Sequence, residues 1–418
     1  MATASPFKLS VSEQDLDILR RKLELARLPD QPQGYDIQQG VPVPRMQELI
    51  GHWRDVYLPN WRQHEAKLNE LPMFSVPVES DGFGILDIHF IHARSTRRNA
   101  IPLLFVHGWP GSFLEVTKML KDLTEPADER AQAFHVVAPS LPNYGFSDSV
   151  KQRGFNLRHY GFVLNKLMLN LGYNKYVAQG GDWGSIITRT MGRHHEENLR
   201  GVHVNLAMFE PSNLLKQPWL ILLALIWPPL WVSKKGTNGL LNGLAYVSGG
   251  NDYYRLQSSR PQTVAYCLED SPVGLLGWIY EKLIHWTHDY PWTDDEILTW
   301  VSIYWFSKAG PGASVRTYFE AENPSKDWNG TLADKKFWDW TKPKLGISQF
   351  PKDIVGIPNV LSRTLGPVVF ERYHDSGGHF AAWENPETLK QDLRDMFGPG
   401  GGAHGVVDVP MPWKGKTL

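Results

Sequence analysis

The stretch QGGDWGSIITR, Gln179 to Arg189, decides how this chain is read. An apolar strand pattern, KYVAQG, leads into it, and a helical pattern, SIITRTMGRHH, leads out. Gly180 and Gly184 frame the centre, as glycines frame the tight strand-to-helix turn called a nucleophile elbow. Such a turn pushes its central side chain out above the sheet edge. That position usually holds serine. Here it is Asp182. The helix N-terminus behind it favours an anion, so the carboxylate is expected to stay ionised and to act as a nucleophile. Ser185, three positions on, reads as part of the first helical turn.

Around this turn the chain alternates strands with helices. FGILDIHFIHA (83–93) alternates as a strand does. IPLLFVHG, FHVVAPSL, YNKYVAQG and GVHVNLAM are short apolar runs suited to buried parallel strands, with helical patterns between them. The alternation stops after Met208 and resumes with LGISQF and GPVVFERY. The expected fold is therefore α/β, of the α/β-hydrolase type: a mostly parallel central sheet with helices on both faces. The expected organisation is an N-terminal helical meander over 1–82, a first core part over 83–208, a helical lid over 209–342, a second core part over 343–398, and a glycine-rich flexible linker and tail over 399–418. In the meander, SEQDLDILRRKLELARLP predicts a helix capped by Ser12, with Leu16, Leu19, Leu23 and Ala26 on one face.

Composition excludes several function classes. The 418 residues carry a net charge of -1, so neither a nucleic acid nor a strongly cationic partner is implied. The N-terminus has no apolar signal region, and a cytoplasmic protein is expected. The apolar run PWLILLALIWPPLWV (218–232) is interrupted by two prolines and is short for a membrane span. It is read as lining of a buried pocket or an interface, without stable membrane insertion. Whether it or the lid edge makes a homodimer stays open. The single cysteine, Cys267, is read as a small buried hydrophobe. The 17 tryptophans suggest an apolar cavity or a stacked core.

Three further pieces surround the elbow. HGWPGS (107–112) follows a strand; its loop offers the Trp109 N–H to an oxyanion hole, with the Trp183 N–H as second donor. A cis bond before Pro110 would hold this loop. His107 is expected to brace it, and His107, Pro110 and Phe113 are expected beside the substrate. GGHFAAWENP supplies His379 as a base. FPKDI supplies Asp353 to orient that histidine, with Asp375 as a competing orienter. The order nucleophile, acid, histidine is the order of α/β-hydrolases. RHHEEN (193–198) reads as a solvated helix end, since it lacks the histidine spacing of a metal site.

With these pieces in place the chain resembles the epoxide hydrolases, in the branch that includes microsomal-type and fungal enzymes. The resemblance is carried by FVHGWPGSFLE, PSLPNYGFSD, GGDWGS, SRPQTVAYCLEDSPVGLLGWI and GGHFAAWENP, and it covers nearly the whole chain. The N-terminal membrane anchor of the microsomal members is not expected here. The resemblance implies two lid tyrosines that hold the epoxide oxygen: Tyr318, and either Tyr253 or its neighbour Tyr254. It implies attack by Asp182 on an apolar epoxide, a covalent glycol ester, and hydrolysis of that ester to a diol. Neither metal nor organic cofactor is called for. The alternative is a haloalkane dehalogenase, which also uses an aspartate elbow but commonly places Asn where this chain has Trp109.

Overall fold

The computed structural model describes residues 3–210, 212–226, 233–324 and 330–408. Nine strands form one sheet: β1 (Ser5–Pro6), β2 (Met73–Ser80), β3 (Gly84–Ala93), β4 (Ile101–Val106), β5 (Phe134–Pro139), β6 (Tyr176–Gly180), β7 (Leu199–Val204), β8 (Lys344–Gln349) and β9 (Val368–Tyr373). Their spatial order is β1-β2-β3-β5-β4-β6-β7-β8-β9. The pairs from β5 through β9 are parallel; those joining β1, β2, β3 and β5 are antiparallel. Every residue of β4 and β6 is buried. A strand covered on both faces needs a continuous apolar run, which is why these two were legible.

The sheet begins inside the segment expected to be only a helical meander. In β2, Met73, Val76 and Val78 are buried. Pro77 obscures that alternation in the sequence. The structure accommodates it because Asp87, opposite Pro77, gives its N–H to the Asp148 carboxylate and its C=O to the Asp148 N–H. Pro77 therefore stands where no ladder bond is made.

The rest of the N-terminal segment straps the lid. Ser12 accepts from the Asp15 N–H at 3.1 Å and caps the helix Glu13–Glu24, which buries Leu16, Leu19 and Leu23. This helix packs on the lid helix Pro272–His285. Lys22 pairs with Asp270, Arg45 with Asp294, and Tyr57 meets Thr299. Between β7 and β8 lie the lid helices, among them Asp252–Ser259, Pro272–His285, Asp294–Trp305 and Arg316–Glu322.

Three expectations are corrected. In the helix Pro218–Ile226, Leu220 is buried, but Trp219, Leu222, Leu225 and Ile226 are exposed, so of the two readings, pocket lining and interface, the pocket lining does not hold for this part of the run. Apolar residues lie on more than one side of this helix, and only the side that carries Leu220 packs inward. Residues 227–232 lie outside the described residues. Cys267 is exposed, on the outer side of the helix Pro261–Asp270. The glycine run near 400 is no flexible linker: a Cβ on Gly401 would meet the Asp395 carbonyl at 2.3 Å, and Ala403 and Val407 are buried behind it. Glycine here permits close backbone approach. No helix among the described residues is long and apolar enough to cross a membrane.

Leu19 is fully buried in the strap. Leu19→Ala is expected to lower unfolding stability by about 2–5 kcal/mol, read from urea denaturation. Turnover well below the melting temperature should be unchanged, because the strap touches the lid from outside.

Candidate active site

Asp182 stands between β6 and the helix Trp183–His194, with φ 48° and ψ -127°. A non-glycine residue in this region costs about 1–3 kcal/mol and persists only where its surroundings impose it. The imposition is visible at Gly184. A Cβ there would lie 2.0 Å from the Val106 carbonyl oxygen, so the elbow helix presses directly on the end of β4. Gly108 is under the same constraint, since its Cβ would lie 2.2 Å from Asp182 Oδ1. Ser185 donates its hydroxyl to the Gly180 carbonyl at 2.7 Å, inside the turn, and is not available to a substrate.

The two carboxylate oxygens of Asp182 have different neighbours. Oδ1 accepts from the Trp109 N–H at 2.8 Å. Oδ2 lies 3.3 Å from His379 Nε2. The far nitrogen of that ring, Nδ1, is 2.7 Å from Asp353 Oδ1. Asp353 Oδ1 also accepts from the Ile354 N–H. Asp375, the competing orienter, points outward and pairs with Lys235 at 2.6 Å. Burial works to strip the proton from His379, but the Asp353 and Asp182 carboxylates outweigh it and hold the proton affinity up, at about 10. Asp353 itself is buried. The resting arrangement is thus an imidazolium between two carboxylates.

The loop after β4 carries the other half of the site. The peptide Trp109–Pro110 is cis. His107 braces the loop: its Nε2 accepts from the Leu141 N–H, so Nδ1 carries the hydrogen and donates to the Gly108 carbonyl at 2.8 Å. Burial lowers its proton affinity to about 4, so it is neutral. Of the three residues expected beside the substrate, His107 therefore has both nitrogens committed. Phe113 is buried against the rings of His89 and Phe146, because the turn Phe113–Val116 directs it into that cluster. Pro110 contributes its carbonyl, which accepts from the Trp300 indole of the lid. The Gly111 carbonyl accepts from Tyr304 Oη at 2.6 Å, a second tie between lid and loop.

Aromatic rings of the lid cover the elbow. Tyr253 stacks on Trp109 with centroids 5.4 Å apart. Tyr318 meets Trp109 and Trp183 edge-on, at 5.7 and 4.9 Å. Tyr318 is buried, and its ring also meets that of Tyr253, at 5.9 Å. The Tyr254 hydroxyl is bonded to Glu322, whereas that of Tyr253 meets Tyr246 Oη at 2.8 Å. Tyr253 is thus the neighbour whose ring lies on the oxyanion loop.

Sequence reasoning missed several groups that the fold brings here. The Trp286 carbonyl accepts the His379 N–H at 2.8 Å, and its ring meets the imidazole edge-on at 4.9 Å. Tyr246 holds Tyr253. Glu115 is buried with its carboxyl against Gly111. Burial, reinforced by the Asp182 charge and only partly relieved by His379, raises its proton affinity from 4.5 to about 8. Glu115 closes the block FVHGWPGSFLE, but nothing in that block marks it for burial; Trp286 and Tyr246 are each one aromatic residue among many.

The folded chain holds the Glu115 proton up to about pH 8, whereas the unfolded chain releases it near 4.5. Stability is therefore lost as pH rises between those values. Glu115→Gln removes this dependence. It should match the wild type near pH 4 and exceed it by on the order of a few kcal/mol at pH 8.5, in urea titrations at the two pH values. An equal difference at both pH values would contradict the buried neutral carboxyl.

Comparison with known proteins assigns the family. Residues 4–116 match the family described as "Epoxide hydrolase N terminus", and residues 101–227 match the "alpha/beta hydrolase fold" family. A putative epoxide hydrolase of Stigmatella aurantiaca is 36% identical over 402 residues, covering 94% of this chain and 84% of the relative. Epoxide hydrolase 1 of Sus scrofa is 31% identical over 431 residues, covering 94% of this chain and 88% of the relative. The solved Aspergillus niger epoxide hydrolase superposes with a TM-score of 0.78 at 31% identity, covering 94% of this chain and 95% of that one. The chain belongs to the epoxide hydrolases of the α/β-hydrolase fold.

Proposed function

We propose that Asp182 opens an apolar aryl or alkyl epoxide to a covalent glycol ester, which His379 then hydrolyses to the vicinal diol. The observation that carries this reading is the division of the Asp182 carboxylate, with Oδ1 on the Trp109 N–H and Oδ2 facing His379. Oδ2 attacks a ring carbon in line. The carbon–oxygen bond breaks, and the epoxide oxygen takes a proton from a tyrosine, Tyr253 or Tyr318. Tyr246 Oη, 2.8 Å from Tyr253 Oη, holds that hydroxyl in place over the elbow. Oδ1 becomes the ester carbonyl and already sits on an oxyanion donor. Trp183 adds the second: as the first residue of its helix, its N–H has no partner within the helix.

Ester formation removes the negative charge of Asp182. One of the two anions that hold the His379 proton then disappears, and its proton affinity falls. His379 returns its proton to the tyrosinate left by ring opening and becomes a base. It deprotonates water, which attacks the ester carbonyl carbon. The tetrahedral oxyanion rests on the Trp109 and Trp183 N–H groups. Collapse releases the glycol oxygen, which takes the remaining proton of the added water from the new Asp182 carboxyl, relayed by His379, and leaves as the diol. The cycle ends with Asp182 ionised and His379 protonated, as it began. A serine in the elbow would form an ether that this machinery has no means to cleave.

The apolar substrate class rests on the aromatic roof of Trp109, Trp183, Tyr253 and Tyr318 and on Trp286 behind His379. The dehalogenase alternative is set aside by the family assignment.

A single turnover of styrene oxide in oxygen-18 water, with enzyme in excess, tests the ester. Heavy oxygen is expected in the peptide containing Asp182 and light oxygen in the diol; the reverse pattern would mean direct attack by water on the epoxide. In His379→Gln the ester should still form but should hydrolyse about 100- to 10,000-fold more slowly, so that it accumulates and adds the mass of the epoxide to the intact protein.

A further inference from the structure

Among the described residues, the lid holds one buried cation that the proposed cycle does not use. Lys282, on the helix Pro272–His285, is 6% exposed. Its ammonium lies 4.7 Å from the centroid of the Tyr253 ring, 5.4 Å from that of Trp278 and 6.0 Å from that of Trp286. Its ion-pair partner is its chain neighbour Glu281. Burial draws its proton affinity below that of an ordinary lysine, and Glu281 opposes the shift. An ammonium removed this far from water is costly unless carboxylates and ring faces replace its hydration.

The position of the cage matters more than its existence. Two of its three rings belong to the site. Tyr253 lies on Trp109, whose N–H holds Asp182 Oδ1. Trp286 lies against Tyr253 at 5.3 Å and holds the backbone of His379. The third, Trp278, donates its indole N–H to Gln257, one turn on from Tyr253 in the helix Asp252–Ser259. The cation therefore sits behind the tyrosine toward which negative charge moves when the epoxide opens. In a site walled by aromatic rings, a charge at this range acts more strongly than it would in water.

We propose that Lys282 is a positioning residue for epoxide opening: its ammonium, seated against the Tyr253 ring, fixes that ring over Trp109 and strengthens its phenol as a proton donor to the epoxide oxygen. This rests on Tyr253 being a donor in the first half-reaction. The second half-reaction develops its charge at the Trp109 and Trp183 N–H groups, so Lys282 leaves it unaffected.

The test is rapid-quench single turnover of styrene oxide, following the ester on Asp182 and the diol separately. The variants are Lys282→Met, Lys282→Arg, Tyr253→Phe and the double variant Lys282→Met/Tyr253→Phe. Lys282→Met is expected to slow ester formation about 10-fold while ester hydrolysis stays within about two-fold. Lys282→Arg should retain most of the wild-type rate of ester formation. In the Tyr253→Phe background, Lys282→Met should add less than about two-fold, because its route through the phenol is gone. Ester formation at the wild-type rate in Lys282→Met overturns the proposal. So does equal slowing of both steps, or a full additional loss in the Tyr253→Phe background. If Tyr253→Phe alone forms the ester at the wild-type rate, the donor assignment fails, and the proposal falls with it. If thermal unfolding shows that Lys282→Met is not folded, Lys282→Gln carries the same expectations.

Discussion

Two carboxylates and one imidazole, closed off from water, set the terms for the rest of this molecule. Asp353 and His379 are buried, and Asp182 is largely so. Burying two anions together is unfavourable unless a cation stands between them. His379 supplies it by keeping a proton that burial alone would remove. The arrangement demands positional accuracy from three separate places in the chain: the end of β6, the loop after β8 and the loop after β9. A parallel sheet meets that demand, since it presents the C-terminal ends of its strands side by side. The lid adds a fourth constraint through the Trp286 carbonyl, which fixes the His379 backbone.

The strain at Asp182 belongs to the same constraint. Its φ of 48° is unfavourable, and it is held because the elbow helix is pressed onto β4 with no side chain at Gly184. The gain is that both carboxylate oxygens project from the turn, one to a backbone donor and one to the histidine. Lid and loop are tied by hydrogen bonds to the carbonyls of Pro110 and Gly111, so the roof and the oxyanion donor share one frame. The N-terminal strap extends that frame outward, pairing Lys22, Arg45 and Tyr57 with lid residues.

What was legible in the sequence follows from how local each signal is. The elbow, the apolar strands and the Ser12 cap are written in a few consecutive residues, and the structure has them where the pattern puts them. Asp353 and Asp375 each follow a strand and precede His379, so the sequence left both open; the structure turns Asp375 to Lys235. The misreadings share one physical origin. Pro77 hides β2, because a ladder gap opposite Asp87 cannot be read from the strand itself. Gly401 and Gly402 read as flexible because glycine's other use, close packing, depends on atoms far away in sequence. Cys267 read as buried, and the helix Pro218–Ile226 as pocket lining or an interface, because hydrophobicity sets a tendency and the fold decides which face finds a partner. Trp286, Tyr246 and Lys282 had no local signal, and Glu115, though inside FVHGWPGSFLE, had none for its burial.

The nucleophile and the base in the proposed cycle are coupled by charge as well as by distance, and this separates the two half-reactions. While Asp182 is ionised, it holds the His379 proton, and the histidine cannot act as a base. Water beside the free carboxylate is therefore left inert, and the epoxide meets a nucleophile and an acid only. Once the ester forms, the charge that suppressed the base is gone, and the same imidazole is released to activate water. No movement of the lid is needed for the switch, because the substrate's own covalent capture changes the field at a site 3.3 Å away. A serine elbow has no such charge to lose on acylation. The aspartate thus provides both a cleavable ester and the signal that cleavage is due.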